Sequence, residues 1–350
     1  MEIHEKLGSW YEKEKRDLPW RNSLDPYKIW LSEVILQQTR VAQGIGYYQR
    51  ILKKFPDIFS LARAESDDVL KIWQGLGYYS RARNLHETAR YIAFQRNGRF
   101  PVLYSELLKL KGVGEYTAAA VSSIISNEPR AAVDGNVKRV LSRLFSVGDE
   151  INSSAGKKTI NSLALQILDP KNPGQHNQAI MELGAKICLP KKPSCIICPL
   201  NDVCLALKDN IVAELPVKYK KPGVTNRYFT YLIIRIRNTI RLQKRTGGDI
   251  WEGLYEFPLI ETPELKELNK LPLLVADFLK TTIDSIQINR ISETFTHKLS
   301  HRLITCRFLT ISVSGDLNSS SIPGKVVNIK DFALFPVPKL IERYISSAGF

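Results

Sequence analysis

No stretch of the chain approaches the roughly 18 consecutive apolar residues that a membrane span requires. Met1 to Lys6 is charged and leads into no apolar run of signal-peptide length. A soluble, cytoplasmic protein is therefore expected. Cysteine is scarce: there are five, an odd number, and four of them crowd between Cys188 and Cys204. That distribution excludes the disulfide framework of a small secreted domain and points to a reducing compartment. Internal repeats and low-complexity tracts are absent. Blocks of like charge are absent too, since residues up to Lys208 carry 30 basic against 21 acidic groups and the remainder 20 against 14.

What is present is ordinary globular material, 44% hydrophobic and 24% charged, in a chain of 350 residues, long enough for two domains. The net charge of +15 suits a partner bearing regularly spaced negative charge, of which nucleic acid is the commonest. From Ile3 to about Lys208 apolar residues recur at helical spacing, as at Val137, Val140, Leu141 and Leu144. A helical domain over 1–208 is predicted. Residues 209–226 hold Pro216, Pro222, Gly223 and the basic run Lys218, Lys220, Lys221, with little periodicity, and are expected to form a linker. Over 227–350 an α+β domain is predicted. Tyr228 to Ile236 and Thr239 to Lys244 form a hairpin around Arg237-Asn238, Thr262 to Lys280 is helical, strands lie near 286–294 and 303–313, and a helix closes the chain.

Three motifs carry chemistry. Cys188, Cys195, Cys198 and Cys204, spaced C-x6-C-x2-C-x5-C, place four thiolates where they can converge on one metal centre. Four-cysteine zinc sites more often show two C-x2-C pairs, so the spacing favours iron-sulfur over zinc. Lys191 and Lys192 lie in the first interval, where a folded basic loop can meet phosphate or simply be solvated. The second motif is Leu110-Lys111-Gly112-Val113-Gly114-Glu115-Tyr116, a glycine hairpin opening a helix. Free amides at such a helix start can grip a phosphate without reading sequence, although a lone Gly-x-Gly is commonly just a cap. The third is a pair of acids. Glu33 sits among Trp30, Leu31, Val34, Ile35 and Leu36, surroundings that should raise its pKa and let it donate a proton near neutrality. Asp134 precedes an amphipathic helix, where an isolated Asp is ordinarily an N-cap.

In order and spacing, Trp30-Leu31-Ser32-Glu33-Val34-Ile35-Leu36-Gln37-Gln38-Thr39, Gly75-Leu76-Gly77-Tyr78-Tyr79, the Gly112 hairpin, Asp134-Gly135-Asn136-Val137-Lys138-Arg139 and the four cysteines resemble adenine DNA glycosylases of the MutY type, members of the helix-hairpin-helix superfamily. The match runs almost continuously over residues 10 to 204. It implies a 4Fe-4S cluster on the four cysteines and a monomeric enzyme that removes adenine paired with 8-oxoguanine or guanine in duplex DNA. It implies Glu33 as the acid that protonates adenine N7, Asp134 as the anion facing the sugar cation, and Asn136 and Tyr116 as their helpers. Tyr116 stands where related glycosylase/lyases carry a lysine nucleophile, so the resemblance implies base removal without strand cleavage. The family's adenine pocket maps onto Arg16, Leu18, Trp20, Arg21 and Gln178, some relatives having Glu at the last. Its wedge and DNA contacts map onto Gln37, Gln38, Tyr78, Gly112, Gly114, Lys138, Lys191 and Lys192. Trp251-Glu252-Gly253-Leu254-Tyr255-Glu256-Phe257-Pro258 resembles a Nudix-like domain that lacks the R-E-x-x-E-E box. Phe295-Thr296-His297 is aligned with the family's Phe-Ser-His loop that probes 8-oxoguanine.

Three rivals remain at this point. An endonuclease III-like pyrimidine glycosylase/lyase is opposed by Tyr116 and by the extra C-terminal domain. A DNA-binding protein without activity is opposed by the retained Glu33 and Asp134. A Nudix hydrolase with a helical appendage is opposed by the missing acidic box.

Overall fold

The computed structural model describes residues 2–218, 223–314 and 322–348. Lys220, Lys221 and Pro222 of the expected linker lie outside the described residues. Two compact units emerge, Met1–Arg63 with Asn84–Lys220, and Ala64–Arg83 with Lys221–Phe350. The division does not follow chain order, because a short N-terminal segment belongs to the second unit.

The first unit is helical: α1 (Ile3–Glu14), α2 (Pro26–Leu36), α3 (Val41–Lys54) and α4 (Ile58–Arg63) come before the segment 64–83. That segment holds α5 (Ser66–Trp73) and the start of α6 (Ser80–Arg90). Then follow α7 (Tyr104–Leu107), α8 (Glu115–Ile125), α9 (Gly135–Leu144), α10 (Ser154–Gln166), α11 (Pro173–Lys186) and α12 (Leu205–Lys208). The apolar stripe of α9 packs with Leu7 and Tyr11 of α1, Ile160 of α10 and Ile180 and Leu183 of α11 in one core. Helix α2 is buried nearly all round and packs on α3 and α8. The expected linker starts differently from its reading: Leu215 is buried and its carbonyl accepts from Arg143 Nε at 3.0 Å, while Val217 accepts from the Ile151 amide at 3.3 Å. A composition poor in periodicity does not reveal a segment held by long-range backbone bonds.

Among the described residues, the second unit is built on a sheet of eight strands. Its long central strands, β1 (Thr225–Ile236) and β7 (Arg302–Val313), run parallel in register from Thr225↔Arg302 to Ile234↔Ile311. Six consecutive residues of β1, 229 to 234, are buried, as expected of a strand covered on both faces. β2 (Thr239–Lys244) turns back from β1 through Arg237, whose φ of +51° suits the tight hairpin predicted there. The shorter strands are β3 (Tyr255–Glu256), β4 (Leu259–Thr262), β5 (Ile286–Ile291), β6 (Phe295–Lys298) and β8 (Lys325–Asn328). One face carries α13 (Leu271–Leu279), whose Leu271, Val275 and Leu279 meet Leu232, Ile234, Leu309 and Ile311. The other carries an aromatic cluster in which Phe308 stacks on Tyr231 and on Tyr344 of α14 (Lys339–Ala348). The helix expected over 262–280 is thus confined to α13. Thr262 ends a strand, and Pro272 sits in the first turn of the helix, where its missing N–H costs nothing.

Segment 64–83 has its partners within this unit. Asp67 accepts from Lys244 Nζ at 2.5 Å and from the Tyr255 hydroxyl at 2.8 Å. Lys71 reaches the Phe335 carbonyl, Gln74 bonds Glu342, and Arg83 pairs with Glu252 at 2.8 Å. No helix among the described residues is long and apolar enough to cross a membrane.

Candidate active site

A cavity of about 550 Å³ opens in the first unit, lined by residues of the α1–α2 connection and of α2, α8, α9 and α11. Glu33, Asp134, Tyr116 and Asn136 all reach it, together with Arg16, Leu18, Trp20, Arg21 and Gln178. Every residue assigned by sequence to chemistry or to the base pocket therefore lines one space.

The two acids arrive by opposite local logic. Glu33 lies in mid-helix on the apolar α2, is 6% exposed, and its Oε2 makes no hydrogen bond among the described residues. Burial pushes its pKa up to about 7, with Asp134 adding to the rise and Tyr116 and Arg21 opposing it. Asp134 is the N-cap of α9, its Oδ1 accepting from the amides of Asn136 and Val137 at 2.8 Å each. Its Oδ2 accepts from Asn136 Nδ2 at 2.8 Å. Burial raises this carboxyl too, but three donors counter it, whereas Glu33 has an oxygen with none. The capping and functional readings of Asp134 are compatible, since the cap holds the carboxyl at the cavity wall. Tyr116 is held protonated by burial beside Glu33 and Asp134, and its hydroxyl donates to Met181 Sδ at 3.3 Å.

Asn136 is itself held: its Oδ1 accepts from Arg139 Nη2 at 2.9 Å, and Arg139 also bonds the Gly184 carbonyl at 2.7 Å and that of Cys188 at 2.7 Å. Helix α11 crosses close at this point, where a Cβ on Gly184 would stand 2.6 Å from Asn136 Cβ, so only glycine fits. Arg143, one turn on, approaches Cys188 Sγ at 3.4 Å and donates to the Leu189 and Pro190 carbonyls.

Cys188, Cys195, Cys198 and Cys204 line one small pocket with Arg143, Ile187, Pro193 and Leu207. Among the described residues, however, no group of three or more His, Cys, Asp or Glu side chains is gathered as one metal ion would need. A single zinc requires each sulfur about 2.3 Å from one point, whereas a cluster of several atoms keeps its thiolates further apart. Four thiolates lining one pocket are a donor set that an iron-sulfur centre can use. Lys191 and Lys192 are exposed on this loop.

In the hairpin, Gly112 adopts φ +77° and packs on Asn84, so the left-handed turn needs glycine. Gly114 has φ −96° and instead caps α8 with no side-chain bond, leaving the helix-start amides open. Gln38 and Tyr78 hold positive φ, +56° and +48°, without being glycine, a strain that clusters at functional turns. Gln37 donates to Thr117 Oγ1 at 3.1 Å, and Lys138 is half-buried on α9.

One expectation is corrected. Phe295, Thr296 and His297 form strand β6 rather than a loop, and Phe295 is buried against Phe308 and Tyr344. The loop is the next three residues, Leu299, Ser300 and His301, at the turn into β7. This string has the apolar-Ser-His pattern and keeps the serine that Thr296 lacks. Its Ser300 hydroxyl lies 2.6 Å from the hydroxyl of Tyr78 within the second unit. Sequence reasoning also missed Tyr11 and Glu182, whose partners are far away in the chain, and the role of Arg139, which bonds the nearby Asn136 as well as the distant Gly184 and Cys188 carbonyls.

Both units resemble known proteins. Residues 31–164 match the model of the HhH-GPD superfamily of base excision DNA repair proteins, and residues 230–347 that of the NUDIX domain. The adenine DNA glycosylase of Buchnera aphidicola subsp. Acyrthosiphon pisum is 34% identical over 343 residues, 96% of this chain and 95% of the relative. That of Mus musculus is 45% identical over 209 residues, 57% of this chain and 41% of the relative. Among solved structures, a thermostable thymine-DNA glycosylase superposes with a TM-score of 0.55 at 28% identity, over 59% of this chain and 95% of that one. An endonuclease III in a non-covalent DNA complex shares the fold, with a TM-score of 0.51 at 23% identity, over 59% of this chain and 94% of that one.

Proposed function

The chain belongs to the adenine DNA glycosylase family, and from that premise we propose that it removes adenine paired with 8-oxoguanine or guanine in duplex DNA and leaves the abasic strand uncut. The observation that carries the chemistry is the pair of carboxyls in one cavity, Glu33 with a buried unpartnered oxygen and Asp134 with three donors. A purine leaves readily only after ring protonation, and the sugar cation needs an anion that stays ionised.

In this scheme adenine, flipped from the stack, enters the space bounded by Leu18, Trp20 and Gln178. The Glu33 proton passes to N7, the glycosidic bond breaks with both electrons leaving on the base, and the Asp134 carboxylate faces the cation until water adds and gives up a proton to the Glu33 carboxylate. Asn136 fixes the Asp134 carboxylate, and Tyr116, a phenol where a lyase would place an amine, offers no nitrogen for a Schiff base. Cys188, Cys195, Cys198 and Cys204 would hold a 4Fe-4S cluster, which when bound fixes the loop carrying Lys191 and Lys192 against the phosphate backbone. Recognition of the oxidised partner base is assigned to the hairpin loop Leu299-Ser300-His301, because its serine is joined to Tyr78, the candidate wedge.

Incubation with A:8-oxoguanine, A:G, A:T and thymine-glycol duplexes, with and without hot alkali, tests the whole proposal. Strand breaks that appear from A:8-oxoguanine only after alkali are expected. Breaks without alkali, or release of thymine glycol, would sink it.

A further inference from the structure

One turn beyond Gln178 on α11 lies Glu182, 1% exposed, with no part in the chemistry above. Its two oxygens take four donors. Arg16 Nε reaches Oε1 at 2.6 Å, the Arg16 amide reaches the same oxygen at 3.1 Å, and Arg16 Nη2 reaches Oε2 at 2.8 Å. Arg21 Nη2 completes the set, 2.8 Å from Oε2. Arg21 in turn donates to the Arg16 carbonyl at 2.8 Å and lies over the Tyr11 ring at 5.3 Å. The Tyr11 hydroxyl donates to Gln178 Oε1 at 2.8 Å, which directs the amide of Gln178. Three of the five base-pocket residues thus hang from one buried carboxylate and one phenol.

The arrangement has an electrostatic side. Groups from each element packed around Glu33 act on it: Tyr116 from α8, Asp134 at the start of α9, and Arg21 from the connection between α1 and α2. α3, the other helix packed on α2, contributes Tyr48, whose ring meets Trp20. Only Arg21 is a cation, and a cation favours the ionised carboxyl, which cannot donate a proton. Glu182 stands against that cation.

We propose that Glu182 is the positioning and charge-balancing residue of the base pocket, clamping Arg16 and Arg21 and screening Glu33 from the charge of Arg21. The inference rests on Glu33 being the general acid. It makes Glu182 necessary without any contact with the reacting atoms.

The test is the pH profile of single-turnover adenine excision from A:8-oxoguanine duplex for the parent, Glu182→Gln, Glu182→Asp and the double variant Arg21→Gln/Glu182→Gln. In Glu182→Gln the pH above which the rate falls should move down by about one unit, a roughly tenfold loss above that pH. Removing the cation as well should bring the limb back toward the parent, although the rate stays low because Arg21 lines the pocket. Glu182→Asp keeps the charge but not the four-donor geometry, so its limb should stay while the rate drops. An unmoved limb in folded Glu182→Gln, or a full parental rate in Glu182→Asp, would overturn the proposal. Should Glu182→Gln not fold, the Asp variant alone decides. If the parent has no such limb, or Glu33→Gln still excises adenine, the assignment of Glu33 has failed instead, and the two failures are separable.

Discussion

At the scale of single residues the molecule depends on giving two carboxyls different company. Glu33 is raised to about 7 because burial penalises its anion. It holds its proton below that pH and loses it as pH rises, so excision should fall about tenfold per unit above roughly pH 7, and should fall again in acid as Asp134, whose carboxyl burial raises, takes up a proton. Glu33→Gln should abolish excision and leave duplex binding nearly intact; single-turnover rates beside a gel-shift titration check both. Asp134→Asn separates capping from chemistry, because Asn caps a helix as well as Asp does. The cap bonds survive but an amide then faces Asn136 Nδ2, so the melting temperature should fall modestly while excision falls a hundredfold or more, of the order expected when a group stabilising transition-state charge is lost. A mild rate effect would leave Asp134 as a cap only. An apolar α2 around Glu33 and a helix start after Asp134 were legible as local facts, whereas only the motif resemblance joined the two acids. Glu182 was not, because its arginines lie 166 and 161 residues away and no spacing rule connects them.

Among elements, α9 joins one of the two acids to the cysteine loop. It begins at Asp134, and its Arg139 and Arg143 grip the backbone of the cysteine loop. The protein purified without oxygen should be brown, with a broad absorption near about 400 nm from a thiolate-ligated cluster. A colourless protein with one zinc per chain would refute the iron-sulfur assignment. In the second unit β6 and the loop after it make opposite predictions. Phe295→Ala should cost about 3 to 5 kcal/mol, as loss of a buried aromatic does, and show as a lowered melting temperature. Ser300→Ala should leave melting unchanged yet shrink the kcat/KM advantage of A:8-oxoguanine over A:G by an amount on the scale of base readout, roughly 1 to 3 kcal/mol. The reverse pattern would return lesion reading to Phe295. Elements with a long period were readable in advance, as β1, β7 and the helices of the first unit attest. β3, β4, β6 and β8, two to four residues each, are too short for alternation to declare itself, and only pairing with longer strands makes them strands.

Over the whole molecule the decisive fact is that 64–83 finds its partners after residue 220. A chain ending at 218 would keep both acids and the four cysteines but strip Asp67, Lys71 and Tyr78 of the groups they bond. It should therefore excise adenine slowly, melt earlier than the parent and show little preference between A:8-oxoguanine and A:G. Comparing kcat/KM on the two duplexes measures this, and a preserved ratio would mean that nothing after 218 reads the lesion.

The same division bears on how the protein is made. The ribosome delivers Asp67 and Tyr78 long before Tyr255, Ser300 and Phe335, so for most of synthesis the turn at Tyr78 has only local bonds, such as that from Trp73 Nε1 to the Gly77 carbonyl at 3.1 Å, to hold it. A nascent or prematurely ended chain carries the acids but not a seated Tyr78. The partners of a segment translated near the beginning thus arrive only with the final strands, and the second unit is the last to close.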